Sequence, residues 1–262
     1  RARSAKNVAD EIEFFKNKYK INEFHLEDVD PTVNNKRTRE ICVELIERKI
    51  DVIWKICSGT KVETIRDEST IELMALAGCR YISISPESGS ARIMKLMNKS
   101  FNYNHAIKLV AKMKKVGIKS QACFVLGFPD ENDDDRSLTR EMVKKLTKSG
   151  LDEIALFIIT PVPGSKIFNN FNGYTDYSQL NFSPTWRDDF NLLSKFRKKL
   201  YRDFLFWKLI YHPLRICIQP FYFLLRKFHT KMEMVPYRAL KTFLMIFNIG
   251  GRNIKYKHSV NG

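Results

Sequence analysis

The sequence predicts an α/β fold, a partial TIM-like barrel of parallel strands that lacks its first strand. Three observations predict it: strand-like and helix-like patterns alternate, the strand-like runs are nearly apolar along their length, and glycines separate helical patterns from following strands. The chain has 262 residues, 44% of them hydrophobic, enough to fill the core of one large α/β domain or of a domain with an appendage. That composition excludes disordered, collagenous and disulfide-built classes. The five cysteines, Cys42, Cys57, Cys79, Cys123 and Cys217, lie 15, 22, 44 and 94 residues apart, so no two form a CxxC pair. A reducing, intracellular setting is expected.

Taken in order, residues 1–6 are basic but lead into Val8, Ala9, Asp10 and Glu11, without the apolar core of a signal peptide. An amphipathic helix over Val8, Ile12 and Phe15 opens the chain with no strand before it. A first strand and its following loop are therefore expected upstream of Arg1. Strand-like runs follow at residues 24–27, 52–57, 81–85, 122–126 and 154–159. Between them lie helical patterns such as Ile41, Leu45, Ile46 and Ala106, Leu109, Val110, Met113. A repeat of about thirty residues suits parallel strands, whose crossovers must be long enough to hold a helix. Gly78, Gly117 and Gly150 stand where left-handed helix caps are wanted. A doubly wound open sheet is the rival architecture, weakened because no glycine-rich phosphate loop follows any strand.

Charge divides the chain. Up to Gly164 there are 28 basic and 24 acidic residues; after it there are 17 and 5, a net +12, together with 21 of the 32 aromatics. The expected organisation is a barrel core over 1–168, a linker over 169–184 and a helical basic-aromatic region over 185–262. No uncharged run in that last region exceeds ten residues; residues 216–225, one such run, contain Pro220 and are too short to span a bilayer. Three readings are open for it: helices that close the barrel, a surface for peripheral membrane contact, or an RNA-binding face. Membrane stands ahead of RNA, because the aromatics gather in apolar runs rather than alternating with polar groups.

Barrels of this kind carry their chemistry at the carboxyl ends of the strands. Those ends read Glu27-Asp28-Val29-Asp30, Ser58-Gly59-Thr60-Lys61, Ser85-Pro86-Glu87-Ser88-Gly89-Ser90, Gly127-Phe128-Pro129-Asp130-Glu131 and Thr160-Pro161-Val162-Pro163-Gly164. Carboxylates at separate strand ends suit an ammonium or a ribose diol, and glycines allow close backbone approach. Turns also collect Gly, Pro, Asp and Ser, so each cluster taken singly reads equally well as a turn.

Five motifs in order, Arg80 to Ser90, Met97-Asn98-Lys99, Gly117-Ile118, Phe124 to Glu131 and Thr160 to Ser165, resemble the radical SAM superfamily over residues 1–168, most closely its cobalamin-dependent branch. The resemblance implies a (β/α)6 barrel that binds S-adenosylmethionine and a [4Fe-4S] cluster and cleaves the former reductively to a 5'-deoxyadenosyl radical. It also implies a reductant such as flavodoxin or ferredoxin. Its cluster loop, CxxxCxxC, is absent here, and the chain opens on Arg1-Ala2-Arg3-Ser4, matching the Arg-x-Arg-Ser that follows that loop in the family. The cluster ligands are expected upstream, and the fragment alone is expected to be inactive. Carried over by position, Glu27 and Asp28 receive the methionyl ammonium, and Lys61 pairs with the cofactor carboxylate. Glu87 and Ser88 contact the methionyl or ribose part, and Gly127, Phe128 and Pro129 lie beside adenine. The implied full-length enzyme is a cobalamin-dependent methyltransferase or cyclase acting on an unactivated carbon of a small or lipid-like substrate. It is expected in the cytoplasm or at the inner membrane face. Alternatives are a tRNA methylthiotransferase-like enzyme and a non-catalytic ligand-binding member of the fold.

Three signals read as structural. Asp130, Asn132, Asp134 and Glu141 match calcium-loop positions, but Asp135 stands where that loop needs glycine, and an acidic helix entry explains them better. His25 is expected as a satisfied core histidine. Cys57, Cys79 and Cys123 are expected as small buried hydrophobes.

Overall fold

The computed structural model describes residues 2–249, with side chains to residue 243. The described residues form two compact units, divided between Pro213 and Leu214. The first is built of α1 (Ala5–Tyr19), β1 (Glu23–His25), α2 (Asn35–Glu47), β2 (Ile53–Thr60), α3 (Glu68–Leu76), β3 (Cys79–Glu87), α4 (Ala91–Leu96), α5 (Tyr103–Val116), β4 (Lys119–Leu126), α6 (Asp133–Ser149), β5 (Glu153–Ile158) and α7 (Phe190–Tyr211). All five strands are parallel, and their order in the sheet is their order in the chain. Among the described residues the sheet does not close into a barrel.

Local chemistry starts and stops these helices. Ser4, Asn34, Asp67, Ser90, Asn102 and Asn132 each accept a backbone N–H at a helix start, satisfying donors the helix leaves unpaired. Gly117 and Gly150 end α5 and α6 with φ of 81° and 115°, and Gly78 follows α3 at 93°. The expected left-handed caps are therefore present.

Alternation along each strand separates two faces. Trp54, Ile56, Ile82, Ile84, Phe124 and Leu156 point toward the helices and are buried, each contributing roughly 1.5–3 kcal/mol relative to exposure. The other face is not apolar, and here the expectation of strands buried in apolar surroundings on both sides is corrected. Tyr81 and Ser83 of β3, Gln121 of β4 and Glu153 of β5 line the barrel interior as a buried polar network. The Tyr81 hydroxyl and the Gln121 amide donate to the Glu153 carboxylate, and Ser83 donates to Gln121 at 3.0 Å. Burial, reinforced by the Glu153 carboxylate, pushes the Tyr81 phenol far above its usual range.

β1 also departs from expectation: among the described strands it pairs only with β2. His25 is exposed, with Nε2 3.3 Å from Glu23 and Nδ1 3.9 Å from Cys57, so it is not a core histidine. Cys79 is fully buried, as expected, while Cys57 and Cys123 are half-buried on the interior face.

The stretch expected as a linker, 169–184, folds back as a cover. Phe171 is buried edge-on against Trp186, Tyr174 packs on the same indole, and the indole N–H donates to Gln179 O at 2.9 Å. α7, sequence-assigned to the C-terminal region, packs on α6 and β5 and belongs to the first unit. Its Phe204 and Trp207 are buried.

The second unit contains α9 (Gln219–Leu224) and α10 (Lys231–Ile249), after α8 (Pro213–Cys217), which straddles the boundary. Phe223, Phe228 and Tyr237 form an aromatic cluster, and Glu233 accepts the N–H groups of His229 and Thr230 at the start of α10. Phe221 and Phe243 are 58% and 55% exposed, unlike Phe204 and Trp207; the Phe247 side chain lies outside the described residues. No helix among the described residues is long and apolar enough to cross a membrane.

Candidate functional site

Parallel order brings the polar strand ends to one rim, which is where the sequence-assigned residues lie. At the end of β1, Glu27 and Asp28 are exposed, and Asp28 lies 3.8 Å from Arg37 of α2. Beside them a hydroxyl cluster joins the first two strand ends. Thr32 bonds to Asp30, Thr60 and Thr64, and Thr60 donates to Asp30 at 2.6 Å. Lys61 is exposed next to this cluster, its carbonyl accepting from the Thr64 hydroxyl at 2.7 Å.

The end of β3 is the most constrained part of the rim. Glu87 sits at φ 59°, a left-handed conformation costly for a residue with a side chain, opposite Phe124 after a register shift. Its carboxylate, 14% exposed, is held by Lys99 at 2.5 Å. Ser88 is turned inward and fully buried: its hydroxyl lies 3.3 Å from the Thr139 hydroxyl and accepts the N–H of Ser90, and its own N–H donates to Pro86 O, so neither its side chain nor its backbone is open at the rim. The Tyr103 hydroxyl donates to that backbone carbonyl at 3.0 Å. Thus Met97-Asn98-Lys99 supplies the Glu87 partner, and α5 braces the turn.

At the end of β4, Gly127 has φ 76°, and its N–H donates to Glu131 at 2.7 Å. Burial raises the Glu131 carboxyl above its usual range, against the pull of the Gly127 N–H and Arg136. Phe128 and Pro129 are half-buried in the same turn. Arg187, which sequence reasoning did not single out, ties two strand ends together by donating to Gly127 O and Ile159 O at 3.0 Å each. No motif marked it, because its role depends on carbonyls 60 and 28 residues away.

Between β5 and the folded-back cover lies a cavity of about 520 Å³, lined by Val125 and Phe157 of the interior face, by Thr160 to Pro163, and by Phe182 above. No carboxylate, ammonium or guanidinium lines it. The rim is therefore polar over β1 to β3 and apolar beyond β4. Val125 pairs in register with Phe157, and Glu87 pairs with Phe124, so Glu87 stands at the boundary between the two halves.

The calcium-like pattern resolves as a helix start. Asn132 and Asp135 form a reciprocal capping box, and Glu141 pairs with Lys145 on α6. Among the described residues, no group of three or more His, Cys, Asp or Glu could hold a metal ion. The residues present thus do not supply the ligand set of an iron-sulfur cluster.

Asp135 also receives the Ser90 hydroxyl at 2.6 Å and the Arg92 guanidinium, joining the β3 turn to α6. Its burial alone would raise its pKa, but Arg92, Ser90 and the Asn132 N–H outweigh burial and hold it below the usual range. A carboxyl lowered in the folded state adds stability above its unfolded pKa, near 4, and loses it as pH falls through the folded value. Thermal midpoints are expected to drop as the pH falls below about 4, and Asp135→Asn to flatten that drop. An unchanged acid limb in the variant would refute the assignment.

The sequence profile of the Radical SAM superfamily matches residues 1–143, more than half of the chain. An anaerobic magnesium-protoporphyrin IX monomethyl ester cyclase of Rubrivivax gelatinosus is 29% identical over 195 residues, covering 72% of this chain and 34% of that protein. An uncharacterized methyltransferase of Pyrococcus horikoshii is 28% identical over 187 residues, covering 71% of this chain and 39% of that one. The chain thus spans little more than a third of the length of these relatives. Among solved structures, the radical S-adenosylmethionine methyltransferase TsrM of Kitasatospora setae, with cobalamin and a [4Fe-4S] cluster bound, matches in fold. Its TM-score is 0.54 at 16% identity, over 63% of this chain and 33% of that one. With five parallel strands in barrel order, a polar rim at their carboxyl ends and this profile match, the chain belongs to the radical SAM superfamily.

Proposed function

We propose that the rim binds S-adenosylmethionine, and that the chain is the cofactor-binding part of a cobalamin-dependent radical methyltransferase or cyclase. The observation that carries this reading is Glu87: a carboxylate fixed by a strained backbone and Lys99 at the boundary between a polar and an apolar half-rim. A molecule with a charged amino-acid end and a flat, uncharged base needs such a division. Glu27 and Asp28 then receive the ammonium, Lys61 the carboxylate, and Glu87 the ribose or methionyl part. Ser88, buried, holds the Glu87 turn in place of touching the cofactor, and adenine lies beside Gly127, Phe128 and Pro129 over the apolar cavity. S-adenosylmethionine held there would supply radical chemistry at an unactivated carbon, given an iron-sulfur cluster and a flavodoxin- or ferredoxin-like reductant. The chain's own residues bind, orient and exclude water.

The test uses the full-length gene product, reconstituted anaerobically with iron and sulfide and assayed for 5'-deoxyadenosine. A hydrogen bond to a charged group is worth about 1.5–3 kcal/mol, so Glu87→Ala is expected to weaken cofactor binding roughly ten- to a hundredfold. Unchanged binding and cleavage in that variant would remove Glu87 from the site.

We further propose that region 185–262 makes peripheral contact with an anionic membrane. Supporting this reading, Leu214, Phe221 and Leu224 are 83%, 58% and 78% exposed among the cations Arg215, Arg226 and Lys227.

A further inference from the structure

We propose that the outward face of α7 is a docking surface for an anionic lipid bilayer. The proposal rests on the peripheral-contact reading above and assigns it to one helix. α7 buries Leu193, Leu200, Phe204 and Trp207 against the barrel. At 3.6 residues per turn, the opposite face carries first Lys195, Lys198, Lys199 and Arg202, all exposed, and then Leu205, Phe206, Leu209 and Ile210. Those four apolar side chains are 47%, 60%, 48% and 54% exposed.

Charge identifies the occupant. The helix has a single acid, Asp203, which is turned aside to Arg140 of α6 at 2.6 Å. The outward face thus presents four cations, no anion and an apolar stripe in line with them. A protein partner of ordinary mixed charge would leave those cations unanswered. Anionic headgroups match them, while the apolar stripe reaches the acyl boundary, the arrangement of an interfacial helix.

The direction of α7 sets how the barrel would sit. Immediately before the helix, Arg187 bonds to the carboxyl ends of β4 and β5, so α7 begins at the rim. Lys208 Nζ donates to Asp152 O at 2.7 Å, and His212 Nε2 lies 2.8 Å from Thr147 O, so the helix finishes at the opposite end of the barrel. The apolar turns are therefore those farthest from the rim. A bilayer that engages both halves of the face runs along the barrel flank, and the rim opens along the membrane surface rather than into the acyl layer.

The test is sedimentation of the chain with phosphatidylcholine vesicles, with and without phosphatidylserine, at low and high salt. Wild type is expected to pellet only with phosphatidylserine, and less so at high salt. Three reversed charges, Lys198→Glu, Lys199→Glu and Arg202→Glu together, are expected to lower partitioning by at least about a hundredfold. Phe206→Ser with Leu209→Ser is expected to lower it about tenfold or more, with the circular dichroism unchanged because both side chains are exposed. Wild-type partitioning in both variants would overturn the α7 assignment and leave lipid contact to residues 214–262. Wild type that ignores phosphatidylserine would overturn both readings. Loss of self-association in the same variants, without any vesicle binding by wild type, would make this face a contact between two copies and also overturn the proposal.

Discussion

Gly89→Ala is expected to cost about 3 kcal/mol of stability and to loosen the Glu87 turn with it. Gly89 is required for space, since its Cβ would lie 2.4 Å from Leu138 O and 2.5 Å from Thr139 Cα, both backbone atoms of α6. No rotamer relieves contacts with helical backbone, so the turn and α6 must separate. Overpacking of this kind costs roughly 1–3 kcal/mol, and separation also breaks the Gly89 N–H to Thr139 hydroxyl bond, about 1 kcal/mol more. The measurement is urea unfolding, in which the midpoint falls while the slope stays constant. Gly164→Ala is the control: its φ is 83° but nothing lies within 4 Å of the added Cβ, so it reads backbone strain alone. Equal midpoints for the two variants would remove the steric argument.

A second large effect is expected inside the barrel. Glu153→Ala leaves the Tyr81 hydroxyl and the Gln121 amide buried without the acceptor they share. Each unsatisfied buried donor costs about 1–3 kcal/mol, and the removed side chain leaves a void, so a loss of at least about 3 kcal/mol is expected. Glu153→Gln keeps the volume and one carbonyl acceptor and should lose less. Calorimetric or denaturant unfolding that ranks Gln equal to Ala would show that the network does not depend on the carboxylate. Base sensitivity provides a second readout. The Tyr81 phenol is raised in the folded state, so its contribution is complete below the unfolded tyrosine pKa near 10 and is lost as pH rises above that value.

The alternation of apolar runs with helical patterns was enough to locate all five strands, because burial against helices demands apolar residues at regular spacing. The capping glycines were legible for the same reason: few residues tolerate positive φ. The interior face was harder. In Tyr81-Ile82-Ser83-Ile84-Ser85 the period of two is present, but Tyr and Ser read as compatible with an apolar strand, and only the partner strands reveal that Gln121 and Glu153 complete a network. His25 was misjudged because its exposure is set by what flanks β1 in the sheet, which its own three residues do not record. At the rim, Glu87 stood in a recognisable motif, while Ser88, in the same motif, gives its hydroxyl to Thr139, 51 residues on. Side-chain direction within a turn is decided by what packs on it, and local spacing carries no record of that. Arg187 and the outward face of α7 were hidden likewise, since an arginine or a leucine in a helical run looks the same on either side.

Strand order has a consequence for synthesis. Each strand pairs with the one made just before it, so every crossover can dock as soon as it leaves the ribosome, and no strand waits for a distant partner. Growth of the wall is vectorial, with the most recent strand always the exposed edge. β5 is the last edge among the described strands, and Arg187 then joins its end to that of β4 by donating to Ile159 O and Gly127 O. The Tyr201 hydroxyl accepts the Leu156 N–H of β5 at 3.2 Å, so a pause in translation before residue 201 would leave the newest edge open to pairing with another nascent chain. Codon timing over this short interval should then affect recovery of soluble protein more than equal delays elsewhere.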